Sequence, residues 1–320
     1  MKLAKLNLRL FDLNTNKTDE LPAEVKTYYS DYLIDNAKPN LVHNQFAQKH
    51  SIPKNGGKHI NFRRFMPFPK AMSYLSEGIT PNGGKLSVTE VTGTLKEYGH
   101  FISLSDTLVL TSIDNTMLET TKLLGNQAGI TLDALTREVL NGGTNVMYSG
   151  GVSARTSLDA NCKISVDDIF KAARFLKSQN APKIDGSYVA IIHPDVSYDL
   201  MRDPEWVDVA KYNGSTKLFE GEIGKLGGVR FIETSEAKTF PTSTFTTYST
   251  MVIGANAYGV TELEGGALKT IIKQLGSAGT ADPLEQRATV GWKAYHAAER
   301  LVENYMIRIE SASTFSPVGQ

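Results

Sequence analysis

The sequence predicts an α+β fold, with β-rich and helical stretches in separate parts of the chain. Residues 85–105 are rich in threonine, valine and aromatic side chains, which favour β-strands, and they follow a cluster of turn residues. From Asp106 to Asn141, apolar residues recur at spacings of three, four and seven, as on one face of a long helix. Residues 165–275 alternate helical patterns with short apolar strands, which indicates an α/β unit.

The composition is that of a globular protein without a strong charge bias. The 320 residues suggest about two domains; 41% of them are hydrophobic and 21% are charged. Lysine plus arginine equals aspartate plus glutamate, 34 against 34, so the overall charge does not favour tight binding of nucleic acid. The single cysteine, Cys162, excludes an intrachain disulfide, so folding needs no oxidising compartment. No stretch approaches the roughly 18 to 20 apolar residues of a membrane span, so we expect no membrane partner.

Residues 1–50 are predicted to be an arm rather than a domain. Three leucines near the start alternate with polar residues and would share one face of a short strand: Leu6, Leu8 and Leu10. A strand of this length needs the edge of a sheet to pair with. The pattern that follows predicts a helix that begins at Pro22 and ends at Pro39, and a second, shorter helix over residues 40–50.

Residues 51–105 are predicted to form a long two-stranded excursion. The stretch "KHINFRRF" and the β-rich segment after it are separated by the turn residues of "LSEGITPNGGK". Strands of roughly ten residues would project on the order of 35 Å. An isolated two-stranded ribbon is marginally stable in water, so we expect this one to lie against another surface.

The helical pattern from Asp106 to Asn141 indicates either one helix of up to about 35 residues or two helices in tandem. The glycines of "NGG" at its end predict a C-terminal stop. Gly125 and Gly129 weaken the middle by ~1 kcal/mol each relative to alanine, so we expect a bend or a close packing contact there.

Residues 165–275 carry local signals for each element of an α/β unit. Ser165 is a predicted N-cap, with Asp167 and Asp168 in the first turn of its helix. The stretch "YVAIIHP" predicts a strand that is buried on both faces, and Pro204 is predicted to open a short helix. After this unit, "VENYMIRIE" alternates and predicts a further strand.

The stretch "GEIGKLGGVRFIET", residues 221–234, raises the question of a phosphate-binding loop. Such a loop needs a strand before the glycines and a helix after them, so that the helix N-terminus meets the phosphate. Here the glycines lead into a strand, and their spacing matches neither common glycine-rich phosphate motif. We therefore interpret Gly227 and Gly228 as a bend that lets two backbones approach each other.

No other motif predicts a catalytic, metal or cofactor site. Cys162 is interpreted as a small buried side chain, and His193 as a hydrogen-bonded histidine at the end of a buried strand. His50 and His59 lie nine residues apart in the sequence without a supporting metal-binding motif.

Arg63 and Arg64 form a compact basic pair between Phe62 and Phe65. We interpret the pair as a source of salt bridges to an acidic surface, including a surface on another copy of the chain. Stacking against nucleic acid is the alternative interpretation.

Five stretches spread over most of the chain carry a resemblance to a known family. They are "FRRF" (62–65), "LSEGITP" (75–81), "EYGHFISLSD" (97–106), "GEIGKLGGVRFIET" (221–234) and "VGWKAYHAAERLVENYMIRIE" (290–310). In these stretches the chain resembles the major capsid proteins of tailed bacteriophages, and most closely the branch of enquatrovirus-like podoviruses and their prophage relatives. The resemblance implies the Hong Kong ninety-seven fold.

The resemblance also assigns a part to each region of the chain. The implied regions are an N-terminal arm (1–50), an extended β-hairpin loop (51–105), a peripheral domain with a long spine helix (106–164 and 276–320) and an axial α/β domain (165–275). The extended loop would lie over the adjacent subunit, with Glu77 and Gly78 near its tip. The axial domain would gather around the fivefold and sixfold axes of a shell.

The implied function is that of a structural subunit, not an enzyme, which assembles into hexamers and pentamers of an icosahedral shell around double-stranded DNA. The implied partners are other copies of the chain, portal and scaffold or decoration proteins, and DNA held by weak, non-specific contact. The implied location is the virion capsid, assembled in the cytoplasm of a host bacterium. Contacts between subunits are expected at Leu6, Leu8, Leu10, Arg63, Arg64, Glu77, Gly78, Gly227 and Gly228.

Two other functions stay open at this point. One is an encapsulin-type compartment shell, which shares the fold but encloses cargo enzymes. The other is an α/β enzyme that uses His193. The contents of the particle would separate the first from a virus shell, and a pocket with convergent polar groups would support the second.

Overall fold

The structure is a computed structural model and describes most of the chain. The described residues are 33, 35–37, 41–53, 57–65, 68–72, 74, 77, 78, 80, 83–112, 115–206, 222–242, 245–263, 268–277 and 282–316.

Most of the elements formed by these residues are strands. The helices are α1 (Asp106–Thr111), α2 (Thr116–Asn141), α3 (Val166–Ser178) and α4 (Pro194–Met201). The strands are β1 (Gln48–Ile52), β2 (His59–Phe65), β3 (Val88–Thr94), β4 (Lys96–Ser105), β5 (Val146–Tyr148), β6 (Tyr188–Ile192), β7 (Glu222–Leu226), β8 (Val229–Glu233), β9 (Thr239–Pro241), β10 (Thr246–Ile253), β11 (Tyr258–Leu263), β12 (Lys269–Lys273), β13 (Arg287–Arg300) and β14 (Met306–Ser311).

A five-stranded sheet is built around the long strand β13. One side of β13 pairs with β4, from Lys96 opposite His296 to Ser105 opposite Arg287. The other side pairs with β12 and β11, and β1 extends the sheet as a parallel partner of β11. Helix α2 packs on one face of this sheet. The buried core between them is formed by Leu124, Ala128, Leu132, Val290, Trp292 and Ala294.

A seven-stranded sheet has the order β5-β14-β10-β6-β8-β7, with β9 paired to β10. Every residue of β6 is buried, which confirms the predicted strand covered on both faces. Helix α3 contributes Ile169, Ala172 and Leu176 to the core of this α/β lobe. Its start is capped reciprocally by Ser165 and Asp168, as the sequence predicts.

Strands β2 and β3 form a two-stranded antiparallel ribbon, from His59 opposite Thr94 to Phe65 opposite Val88. The two-stranded excursion is thus confirmed, but its paired part covers 59–94 and not the whole of 51–105. The flanking strands β1 and β4 belong to the five-stranded sheet. Each ribbon strand has 7 residues, so the paired part is about 23 Å long at ~3.3 Å per residue.

The two sheets divide the chain differently from the predicted regions. Strands β11 and β12, placed by the sequence in the α/β unit, lie in the five-stranded sheet. Strand β14, expected beside the long helix, lies in the seven-stranded sheet, antiparallel to β10. The reason is the length of β13, which has 14 residues. One edge of β13 therefore pairs first with β12 and then with β11. Local alternation identifies a strand but not its partner.

The helical pattern from Asp106 to Asn141 belongs to two helices in tandem, so the second of the two predicted alternatives is correct. Ser112 has extended backbone after α1, and Asn115 caps α2 by accepting the Leu118 N–H at 3.2 Å. Helix α2 ends at Asn141, where the glycines predict a stop.

The predicted helix over residues 40–50 is wrong. Residues 42–47 form turns, and β1 follows directly. Side-chain bonds to α2 fix these turns, because the His43 N–H donates to Asp133 and Asn44 accepts from the Thr136 hydroxyl. The pairing of β1 with β11 then requires extended backbone.

Gly125 and Gly129 make close packing contacts, which is one of the two predicted alternatives. Residues 33 and 35–37 are helical, and side chains at the two glycine positions would collide with the carbonyl oxygens of Leu33 and Ala37. The rest of the helix predicted between Pro22 and Pro39 lies outside the described residues, as does the strand predicted at Leu6, Leu8 and Leu10.

Candidate inter-subunit surfaces

The ribbon rests on the body of its own chain through one face only. Phe62, on this face, is 8% exposed and packs so closely on β11 that a side chain at Gly259 would collide with its ring. The His50 ring contacts the Phe62 ring edge-on at 5.3 Å between centroids. The base of the ribbon is therefore anchored within the chain.

The two arginines of the predicted basic pair point to opposite faces of the ribbon, as neighbours in a strand must. Arg64 lies over the Tyr305 ring at 5.3 Å, a cation–π contact with the body. Arg63 forms a salt bridge across the ribbon, with 3.1 Å between its Nε and Oε1 of Glu90. Both partners are exposed, so this pair contributes little to stability. The acidic partner of Arg63 is thus in the ribbon itself.

The outer face of the ribbon changes from polar to apolar along its length. Near the base, Asn61 accepts a hydrogen bond from the opposite Thr92 at 2.9 Å, and Arg63 pairs with Glu90. From the pair of Phe65 and Val88 onward, large apolar side chains are exposed. They include Phe65, Phe68, Met72, Tyr74, Leu86 and Val88, with Tyr74 93% and Met72 85% exposed.

So many exposed large apolar side chains in one segment are typical of a surface that is covered by another molecule. Glu77 and Gly78 lie in an exposed turn between these side chains, and nothing lies within 4 Å of a side chain placed at Gly78. The described residues of the range 65–88 are called the distal ribbon. The distal ribbon is therefore the first candidate inter-subunit surface.

The face of the five-stranded sheet that points away from α2 is the second candidate surface. Phe101 on β4 and Ile271 on β12 lie on either side of Gly291, in register across β13. Both side chains are exposed, and Phe101 packs directly over the glycine, where a side chain would collide with it. Lys269, Lys273 and Lys293 occupy neighbouring positions on this face, and Lys293 forms a salt bridge with Glu97 of β4. The result is an apolar patch with a charged rim.

Gly227 and Gly228 form the two-residue turn between β7 and β8. Their φ values are +61° and +88°, and a hairpin turn of this length favours positive φ at both positions. A side chain at Gly227 would also collide with the Phe170 ring of α3, whereas Gly228 faces open space. The interpretation as a structural bend is confirmed, because the glycines join two strands.

His59, His193 and Cys162 have structural partners. His193 caps α4, where its Nδ1 accepts the Asp195 N–H at 3.1 Å, and burial lowers its pKa. Cys162 is buried, and burial raises the pKa of its thiol. His59 hydrogen-bonds Thr94 at 3.1 Å. Within the described ranges, no group of three or more His, Cys, Asp or Glu side chains could hold a metal ion.

A buried polar cluster joins the segment before β1 to the five-stranded sheet, and no sequence motif reveals it. His43 Nδ1 lies 2.6 Å from Oδ2 of Asp133, and the Tyr258 hydroxyl donates to the His43 carbonyl. Thr136 hydrogen-bonds His296 Nε2 at 3.0 Å. Burial lowers the pKa of His296 from 6.5 to about 4, with the nearby Asp133 acting in the opposite direction. The cluster spans 92 residues between Asn44 and Thr136, so spacing alone gives no signal.

The described residues thus form a long helix on a sheet, an α/β lobe and a ribbon with exposed apolar side chains beyond its paired part. A family model described as "Phage capsid protein" matches residues 89–306, and the chain belongs to the phage capsid protein family. No curated protein matches the sequence. None of the helices in the described ranges is long and apolar enough to cross a membrane.

Solved phage capsids share the fold at low sequence identity. The capsid of the cyanophage P-SCSP1u is 16% identical, with a TM-score of 0.65, over 85% of this chain and 88% of that chain. The capsid of Ralstonia phage GP4 is also 16% identical, with a TM-score of 0.66 over the same shares. The cyanophage Pam1 capsid is 14% identical, with a TM-score of 0.68, over 85% of this chain and 90% of that chain.

These likenesses give the chain the Hong Kong ninety-seven fold, and with the family match they identify a major capsid structural subunit of a tailed phage. The fold class and the protein class predicted from the sequence are confirmed. The enquatrovirus-like branch stays a prediction.

Proposed function

We propose that the chain assembles with copies of itself into hexamers and pentamers of a closed icosahedral shell, and that this shell encloses double-stranded DNA. The observation that carries the proposal is the distal ribbon, whose large apolar side chains are exposed in the single chain. Burial of one such side chain is worth about 1.5 to 3 kcal/mol, so a neighbouring copy that covers the ribbon would gain substantially. Repetition over many identical contacts lets a modest interface hold a closed lattice.

Each region of the chain has a part in this proposal. The distal ribbon lies over the adjacent subunit, on an apolar surface such as the Phe101–Ile271 patch. The α/β lobe gathers around the fivefold and sixfold axes, and the Gly227–Gly228 turn gives its β7–β8 hairpin the freedom to fit both. Residues 1–32 reach neighbouring subunits, whereas the described residues between 33 and 50 pack on α2 and the five-stranded sheet of their own chain. The DNA is held by weak, non-specific contact, in keeping with the balanced charge of 34 against 34.

The proposal extends to partners and place of assembly. Portal and scaffold or decoration proteins complete the particle, which forms in the cytoplasm of a host bacterium before becoming the virion capsid. The alternative of a cellular compartment shell predicts different contents, namely enclosed protein.

The test is size-exclusion chromatography of the full-length chain expressed in bacteria, followed by negative-stain electron microscopy. We expect closed particles of uniform size. The contents of particles from infected cells are then extracted after nuclease treatment of the outside. Protected double-stranded DNA supports the proposal, whereas enclosed cellular enzymes without DNA would favour the compartment alternative. A stable monomer at high concentration, with no particles, would overturn the proposal.

A further inference from the structure

We propose that the last turn of α2, residues 137–141, is an ionic clamp that holds the α/β lobe at a fixed angle to the five-stranded sheet, and that salt opens the outer part of this clamp. The inference goes beyond the proposed function, because it concerns a single chain and holds whether or not copies of that chain form a shell.

Helix α2 makes different contacts with the two sheets. On the five-stranded sheet, its apolar side chains form a buried core with Val290, Trp292 and Ala294. Among the described residues, α2 contributes one buried side chain, Leu140, to the apolar core that β6 and β10 form with β11. The last turn of the helix adds a set of hydrogen bonds and ion pairs with the lobe.

The outer part of the clamp joins α2 to the turn between β8 and β9. Arg137 donates to the Glu236 carbonyl at 2.7 Å, and its Nη1 lies 3.4 Å from Oε2 of the same residue. The Lys238 ammonium donates to both carboxylate oxygens of Glu138, at 2.8 and 2.7 Å. Burial acts to raise the pKa of Glu138, but the bonds from Lys238 and Arg137 lower it below its ordinary value, so the carboxylate stays charged. The four side chains are between 18% and 49% exposed, so dissolved ions reach them.

The inner part of the clamp is buried beside β14. Arg308 donates to the Asn141 carbonyl at the end of α2, and its Nε lies 2.8 Å from Oε1 of Glu310. Glu310 is fully buried and accepts two hydrogen bonds from Arg155, both at 2.6 Å. Arg155 also lies over the Phe240 ring of β9, 3.6 Å from its centroid. Breaking such a group is costly, because removal of one partner leaves a buried charge without compensation.

The same turn of α2 is bonded to the five-stranded sheet. Arg300, the last residue of β13, donates to the Val139 carbonyl at 2.7 Å. The helix dipole favours cations at the carboxyl end of a helix, which applies to Arg300 and to Arg308 alike. One helical turn thus receives donors from both sheets, and these contacts set the angle between them.

The outer ion pairs are the part of the clamp that salt opens. The Debye length falls from about 10 Å at 0.1 M salt to about 3 Å at 1 M, and buried pairs are screened much less than exposed ones. Loss of two exposed pairs changes an equilibrium between a closed and an open arrangement by about 2- to 30-fold. High salt should therefore widen the range of angles between the sheets, while the inner part keeps them together.

Pulsed electron paramagnetic resonance on the full-length chain tests the proposal. Nitroxide labels are placed at the exposed positions Lys177→Cys on α3 and Lys273→Cys on β12, in a chain whose native cysteine is removed by Cys162→Ala. An excess of unlabelled chain keeps distances between copies out of the measurement. The double variant Glu236→Gln, Lys238→Met should raise the fraction of molecules outside the parent distance range by about 2- to 30-fold. Salt at about 1 M should do the same to the parent chain and should add nothing in the double variant.

The matched control removes an exposed ion pair that lies outside the clamp. Lys171→Met on α3 breaks a pair in which Nζ lies 2.6 Å from Oδ2 of Asp167, and it should leave the distances unchanged. Unchanged distances in the double variant and in high salt would overturn the inference, because the apolar core around Leu140 would then fix the angle alone. Equal widening in the control would also overturn it, because the loosening would not come from the clamp. Absence of particles would remove the proposed function and leave this inference standing.

Discussion

Replacing His296 by glutamine should remove much of the acid sensitivity of folding. His296 is 4% exposed, and its Nε2 hydrogen-bonds Thr136 at 3.0 Å. Burial favours the neutral imidazole and lowers the pKa of His296 from 6.5 to about 4, although the nearby Asp133 carboxylate acts to raise it. The unfolded chain therefore binds a proton at this residue at higher pH than the folded chain does.

The sign and size of the effect follow from this difference in pKa. Between about pH 6.5 and pH 4, the unfolded state binds more protons, so the free energy of unfolding falls as the pH falls. Above about pH 6.5 the contribution of His296 is fully present, and below about pH 4 it no longer changes. The total loss is about 3 kcal/mol, since each unit of pKa corresponds to about 1.4 kcal/mol.

Urea unfolding of the unassembled full-length chain, followed by circular dichroism at pH 7.5, 6, 5 and 4, measures this directly. His296→Gln keeps a partner for Thr136 and cannot titrate, so the variant should lose less stability over this range by about 3 kcal/mol. His59→Gln, an exposed histidine bonded to Thr94, serves as the matched control and should follow the parent chain. Identical pH profiles for the parent and His296→Gln would refute the reasoning, since carboxylates elsewhere would then account for the whole pH dependence.

Three further predictions concern packing and assembly. A chain without residues 66–84 should still be folded, as measured by circular dichroism. It should not form closed particles, because most of the exposed apolar side chains of the distal ribbon are lost. Particles of normal size in electron micrographs would contradict this. Gly129→Ala should lower the free energy of unfolding by about 1 to 3 kcal/mol, because the new methyl group meets the Ala37 carbonyl, and an unchanged urea midpoint would count against the contact. The double variant Gly227→Val, Gly228→Val should form fewer closed shells, because valine disfavours the positive φ that both turn positions have. Normal closed shells from this variant would show that the turn is not needed for closure.

The elements with local signals are the ones that the sequence predicts well. Ser165 and Asp168 lie three residues apart, so the capping contacts between them depend on the local sequence alone. The apolar run of β6 and the glycine pair at 227 and 228 are equally local. Each depends on backbone preferences within a few residues, which a single sequence contains.

Partners far apart in the chain could not be predicted in the same way. The turns at residues 42–47 exist because His43 and Asn44 bond to α2, about 90 residues away, and these bonds override a local spacing that favours a helix. The alternation at the end of the chain predicts β14 correctly, but its partner β10 is fixed only when the α/β lobe closes. The two candidate surfaces differ in the same way. The ribbon is predicted from the sequence, whereas the patch of Phe101 and Ile271 depends on the register of three strands, which the sequence does not show.

The cation–π contact between Arg64 and Tyr305 has a mechanical consequence. Tyr305 lies in the short turn between β13 and β14, the connection through which the chain passes from one sheet to the other. Arg64 therefore ties the ribbon to the connection between the two sheets, so a force on the ribbon is transmitted to both sheets and not to the five-stranded sheet alone.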